Sequence, residues 1–278
     1  MNTSLFDIVA VGGAGVAAGA VNAMAGGGTL IAFPCLVALG VPTVSANITV
    51  TVGQTPGYLA GAWAQRADLG SGLRSARRPA IFAGAGAVVG ALLLQVTPNS
   101  LFKAIVPFLI LAACVALVLQ DRVRDWVKAR SPETAPVETE EAASESVAVG
   151  GGSQSEAVVG GDSPWLLPII IALGGIYGGF FGAGLGIMIL ALLGLFSDAG
   201  MVRNNAVKQV LSFVINLTAA VVFALGRHVA WSLVPTLAVG SIIGGIVGAR
   251  AVRVVKPLYL RTFVVLFGLA VAIDFWVG

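Results

Sequence analysis

The 278-residue sequence predicts an all-α polytopic membrane protein made of two inverted repeats, each a glycine-broken helical hairpin plus three transmembrane helices. Three observations carry this expectation. Charged residues are 10% of the chain and hydrophobic ones 57%, with mean hydropathy +0.95; an average soluble domain is about 25% charged. Apolar runs such as PAIFAGAGAVVGALLLQV (79–96) and AIVPFLILAACVALVL (104–119) lack the amphipathic period of a soluble core helix and match the length a bilayer demands. Landmarks in the first half of the chain recur in the second at one spacing.

In order, residues 5–39 form an apolar stretch interrupted by Gly26-Gly27-Gly28 and Pro34, where glycine weakens a helix and proline removes a backbone donor. A broken helix and a hairpin of two short helices both fit. Residues 45–65 carry Asn47, Thr49, Thr51, Gln54, Pro56 and Tyr58 within an otherwise apolar span. A basic loop follows, with Arg66, Arg74, Arg77 and Arg78. Two cleaner spans, 79–96 and 101–120, are joined by the turn Thr97-Pro98-Asn99-Ser100. Residues 121–164 open with the charged DRVRDWVKAR and become rich in Glu, Ser, Gly and Pro. Such a composition buries no core and predicts a disordered acidic linker. The expected division is therefore an N-terminal transmembrane repeat (1–120), the linker (121–164) and a C-terminal transmembrane repeat (165–278). In the second repeat, 165–196 is again interrupted, by Gly182-Ala183-Gly184-Leu185-Gly186, and 204–225 is again polar. A loop with Arg227 and His228, a span over 232–249, a loop with Arg250, Arg253, Lys256 and Pro257, and a last span over 259–277 complete it.

The repeats superpose without a gap at an offset of 158 (184 − 26). Gly26 falls on Gly184, Gly28 on Gly186, Asn47 on Asn205, Gly86 on Gly244, Gly90 on Gly248 and Lys103 on Arg261. Equivalent loops differ in charge. The loop before 79–96 is basic in the first half, whereas in the second half the basic loop follows 232–249. Basic loops stay cytoplasmic, so equivalent loops are expected on opposite sides of the membrane. That inversion requires each broken stretch to count as two passes, with the termini outside and the linker inside. Eight plain spans in parallel repeats are the alternative. Glycines four apart, as in Gly86/Gly90, Gly240/Gly244/Gly248 and Gly174/Gly178/Gly182/Gly186, let membrane helices approach closely, within the chain or across a homodimer.

The polar stripe is the candidate site. Asn205, Gln209, Ser212 and Asn216 fall on one helical face, with Lys208 beside them, and their first-half equivalents are Asn47, Thr51, Gln54 and Tyr58. Polarity within a span is costly unless it faces protein or water, which makes it a functional hypothesis by default. Lys208 falls on Val50, so the pair of stripes is chemically asymmetric. Lys208 either neutralises a bound anion or snorkels to the interface. Cys35 and Cys114 lie in apolar segments and are expected to be buried hydrophobes.

The residues NAMAGGGTLIAFPCLVALGV (22–41), ANIT (46–49) and GGFFGAGLGIMILALL (178–193) resemble the TauE/SafE sulfite exporter family, also called the 4-toluene sulfonate uptake permease family. The resemblance spans both hydrophobic halves. It implies a multi-pass carrier of the cell inner membrane for sulfite, sulfonates or related sulfur oxyanions, with Gly26, Gly27, Gly28, Asn47 and Thr49 and their partners Gly184, Gly186 and Asn205 as site residues. The partner of Thr49 is Val207, which departs from the pattern.

Helix ends at a mid-membrane break present unsatisfied N–H groups and a positive dipole end, which suit an anion. The amides of Asn47, Gln54, Asn205 and Gln209 and the hydroxyls of Thr49, Thr51 and Ser212 can add donors. No Asp or Glu lies mid-span, so H⁺ and Na⁺ both stand as coupling ions. His228, the only histidine, sits in a loop, and no HExxH or GxSxG motif lies in a span. The expectation is a transporter of a small anion, acting in the lipid bilayer. No enzyme activity, cofactor, metal or nucleic-acid partner is expected. An anion channel of the same architecture is the alternative.

Overall fold

The structure is a computed structural model that describes residues 4–70, 76–130, 166–196, 201–226, 228–251 and 257–277. Within them all regular structure is helical: α1 (Leu5–Met24), α2 (Thr29–Ala38), α3 (Thr43–Ala64), the short α4 (Arg66–Leu69), α5 (Arg77–Val96), α6 (Asn99–Arg130), α7 (Leu166–Phe180), α8 (Leu185–Phe196), α9 (Met201–Ala224), α10 (Val234–Ala251) and α11 (Pro257–Val277). Among the described residues, four helices are long and apolar enough to cross a membrane: α1, α5, Val202–Ala224 of α9, and α10. Leu92, Val89, Val239, Ile243 and Val247 are exposed on their outer faces, as lipid contact requires.

Local chemistry explains where the helices start and stop. Ser4 caps α1 reciprocally with Asp7, each side chain accepting from the other's backbone N–H. The helix ends where Ala25 and Gly26 both donate to the carbonyl of Val21 and Gly26 takes φ +87°. The chain then folds back. A Cβ on Gly28 would strike the carbonyl of Ala18, and Cys35 Sγ donates to the carbonyl of Ala10 at 3.8 Å. Residues 24–38 thus run back along α1, making the first broken stretch a hairpin. Pro34 is no interruption, because α2 continues through it. The second break has the same design: Phe181 and Gly182 donate to Tyr177, and Gly182 and Gly184 take φ +73° and +74°. The offset of the repeat recurs in the helix bounds: α3 starts at Thr43 and α9 at Met201, α6 at Asn99 and α11 at Pro257.

The packing exchanges the halves. α1 lies parallel to α10, with Gly12 against Gly240, Val16 against Gly244 and Ala20 against Gly248. Its counterpart α7 lies parallel to α5, with Ala83 against Gly175 and Ala87 against Gly179. The equivalent helices α3 and α9 run antiparallel, since Tyr58, Gly61 and Gln65 meet Asn216, Gln209 and Asn205 in that order. So do α6 and α11, through Cys114 with Val265 and Phe108 with Trp276. The two hairpin tips touch: a Cβ on Gly26 would lie 2.5 Å from Gly186 Cα. Beside them Phe33 of α2 stacks on Phe275 and meets Phe102 and Phe181 edge-on.

Two expectations change. α6 runs on to Arg130, so DRVRDWVKAR is helical rather than linker, the apolar span simply extending into a charged end. Residues 131–164 of the expected linker, with Arg74, Arg227, Arg253 and Lys256, lie outside the described residues. The face of α7 that meets α5 is built from Gly175 and Gly179, while Gly174 has nothing within 4 Å of its would-be side chain.

Candidate functional site

Two facing helices bring the polar stripes together beside the hairpin tips. Asn205, Lys208, Gln209, Ser212 and Asn216 on α9 are all buried, as are Asn47, Thr49, Thr51 and Gln54 on α3. Burial of so many polar groups is tolerable only if each finds a partner. Most do. Asn47 Nδ2 donates to the carbonyl of Phe180 at 2.9 Å, satisfying the end of α7. Asn205 Nδ2 donates to Gln65 Oε1 at 2.7 Å. The hydroxyl of Thr51 bonds back to the carbonyl of Asn47, and the amide of Asn216 back to that of Ser212. Asn216 also shares a hydrogen bond with Tyr58. Thr49 accepts from the backbone N–H of Ala230 at 2.9 Å, tying α3 to the segment after α9 rather than facing the hairpin tips.

Lys208 is wholly buried, which removes the snorkelling alternative. Its Nζ donates to the carbonyl of Asn22 at 3.3 Å, and among the described residues no carboxylate pairs with it. Asn22 and Phe180 are equivalent at the repeat offset (180 − 158 = 22). The same orphan carbonyl at the end of each hairpin's first helix is therefore capped from the opposite half: by Lys208 on α1, by Asn47 on α7. Asn205, the counterpart of Asn47, leaves this duty to the lysine and bonds to Gln65 instead.

Five buried side-chain atoms lack a hydrogen-bond partner among the described residues: Asn47 Oδ1, Gln54 Nε2, Gln65 Nε2, Gln209 Oε1 and Ser212 Oγ. All belong to α3, its C-terminal neighbour Gln65, or α9. An unsatisfied buried polar group costs about 1–3 kcal/mol, so five spread along two facing helices are a cost that function has to justify.

The glycines shape the space. Gly26 and Gly186 meet backbone to backbone, while a Cβ on Gly28 would clash with Ala18 and Asn22. Gly28 N–H donates to Asn22 Oδ1 at 2.7 Å. Gly184 takes φ +74° against Ala113. Gly27 completes the turn into α2, its carbonyl accepting from Leu30.

Two residues escaped the sequence reading. Asn22 accepts from Gly28, donates to Gln54 Oε1 through its side chain, and accepts from Lys208 through its carbonyl. Its signal was a lone amide in an apolar helix, four residues before the break. Gln65 extends the stripe of α3 in the register 54, 58, 61, 65, two turns beyond Tyr58.

Residues 11–275 match the family model described as Sulfite exporter TauE/SafE. A "Probable membrane transporter protein ORF9" from Sinorhizobium sp is 27% identical over 251 residues, covering 87% of this chain and 83% of that protein. A "Probable membrane transporter protein" from Haemophilus influenzae is 28% identical over 254 residues, covering 91% and 88%. No solved structure matches. With a helical bundle, apolar outer faces and a family match over nearly its whole length, the chain belongs to the TauE/SafE sulfite exporter family of membrane transporters.

Proposed function

We infer that this transporter carries a small sulfur-containing anion, such as sulfite, an organosulfonate or a related oxyanion, across the cell inner membrane by alternating access. One observation carries the reading. A fully buried lysine, with no carboxylate partner among the described residues, reaches the first of two glycine-built helix breaks that touch each other. A buried charge is strongly unfavourable unless compensated. An anion compensates it, and the breaks supply positive helix ends at α2 and α8.

In this reading the halves are inverted repeats whose hairpins enter from opposite faces and meet at Gly26 and Gly186. The antiparallel course of α3 against α9 supports it, because equivalent helices of parallel repeats would run the same way. The anion rests between the two stripes. Rocking of one half against the other exposes it to each side in turn. Gln54, Gln209 and Ser212 provide hydrogen bonds to oxygens, while Asn47 and Asn22 hold the hairpin tips in place.

Full-length protein reconstituted in proteoliposomes tests this. Labelled sulfite is expected to accumulate by counterflow, which a channel does not support. Asn47→Ala and Gln209→Ala are each expected to cut the rate at least ~10-fold, equivalent to about 1.4 kcal/mol, at unchanged membrane expression. Near-normal uptake by both variants would remove the stripes from the site.

A further inference from the structure

The charge count of the polar centre narrows the substrate further. Lys208 is the only buried cation among the residues whose side chains the structure describes. Arg66, Arg77, Arg78, Lys103 and Arg250 are exposed, and Arg203 is half-buried near the start of α9. Of the acids whose side chains the structure describes, Asp7 in the first turn of α1 and Asp68 in α4, neither is buried. The other polar residues placed along the stripes are neutral: Asn22, Asn47, Gln54, Gln209 and Ser212. The position equivalent to Lys208 is Val50, itself buried, so the second stripe adds no charge.

The ammonium has three N–H donors. One reaches the carbonyl of Asn22 at 3.3 Å, longer than an ordinary N–H···O bond, which leaves two. Gln54, held by Asn22, has its Nε2 without a partner, and Ser212 Oγ likewise. This donor set suits several oxygens sharing one negative charge. A single anionic charge makes the buried ensemble neutral. A second one is left uncompensated in a dry, low-dielectric space, which is the arrangement proteins avoid most strongly.

Building on the anion-carrier reading, we propose that the site selects singly charged oxyanions, of the sulfonate and hydrogensulfite type, over doubly charged ones such as sulfate and thiosulfate, with Lys208 as the specificity-determining residue. Methanesulfonate and sulfate make the sharpest comparison: both are tetrahedral at sulfur and of similar size, and they differ by one charge.

The test is equilibrium binding to the purified full chain in detergent, by thermal shift and calorimetry at matched ionic strength. Methanesulfonate is expected to bind at least ~10-fold more tightly than sulfate or thiosulfate, and Lys208→Met to lose that binding by a similar factor. Sulfate or thiosulfate binding as tightly as methanesulfonate would overturn the proposal, as would full methanesulfonate affinity in Lys208→Met. Should that variant fail to fold, the wild-type series decides alone. Binding of nitrate and formate without any sulfur anion would uphold the charge rule and sink the sulfur assignment. Binding of no anion at all would sink both.

Discussion

Asn22 links the first hairpin to both polar helices, and its two side-chain bonds have no equivalent in the second half, where the matching residue is Phe180. Asn22→Ala leaves Gly28 N–H without its acceptor and Gln54 Oε1 without its donor. The expected loss is about 1–3 kcal/mol for each stranded group, seen as a lower unfolding temperature of the purified protein. A shift within the error of wild type would mean that the hairpin tip is held by other contacts. The stripe of α9 was legible because four polar residues at helical spacing stand out in an apolar run. Asn22 was not, because one amide has no period to reveal it. Thr49 shows the converse: its position in a family-like motif was plain, but only the fold shows that its hydroxyl holds Ala230.

Between elements, glycine sets how closely the helices meet. Val16 lies against Gly244 and Ala20 against Gly248, so any side chain there must push α1 off α10. Gly244→Val is expected to cost about 1–3 kcal/mol or more through overpacking, measured as a drop in unfolding temperature. Gly174→Ala is the matched control. It has open space around it and sits inside α7, so it is expected to be neutral or to stabilise by up to about 1 kcal/mol. The sequence showed glycines four apart but not which of them face a partner. On α7 the contact face is one residue away from the series that spacing suggested, because a helix surface holds more than one such row and only the neighbouring helix chooses between them. The hairpins were left open by sequence alone, since a glycine break permits either a kink or a reversal. The positive φ at Gly26, Gly182 and Gly184 goes with the reversal.

For the whole molecule, the all-helical class followed directly from hydropathy, but the way the halves clasp each other did not, since no local pattern encodes contacts across more than 200 residues. The helix directions place the loop between α3 and α5 and the end of α10 at one end of the bundle, and the segment between α9 and α10 at the other. In a background lacking Cys35 and Cys114, Ala67→Cys and Arg250→Cys are expected to react with impermeant maleimide only from the cytoplasmic side, and Trp231→Cys only from outside. All three labelling from one side would contradict an inverted arrangement. Ala67, Arg250 and Trp231 are exposed, so labelling reports sidedness and not burial.

The pairing of α1 with α10 also sets a timetable for biogenesis. Val234, where α10 begins, is made 210 residues (234 − 24) after Met24. At about 5–20 residues per second, the first helix waits roughly 10–40 s for its closest neighbour. Throughout that wait the glycine face of α1 stands in lipid or against the insertion machinery. The last helices to be synthesised therefore complete the surroundings of the first, and a truncation before α10 leaves Gly15 and Gly19 without the backbone they pack against.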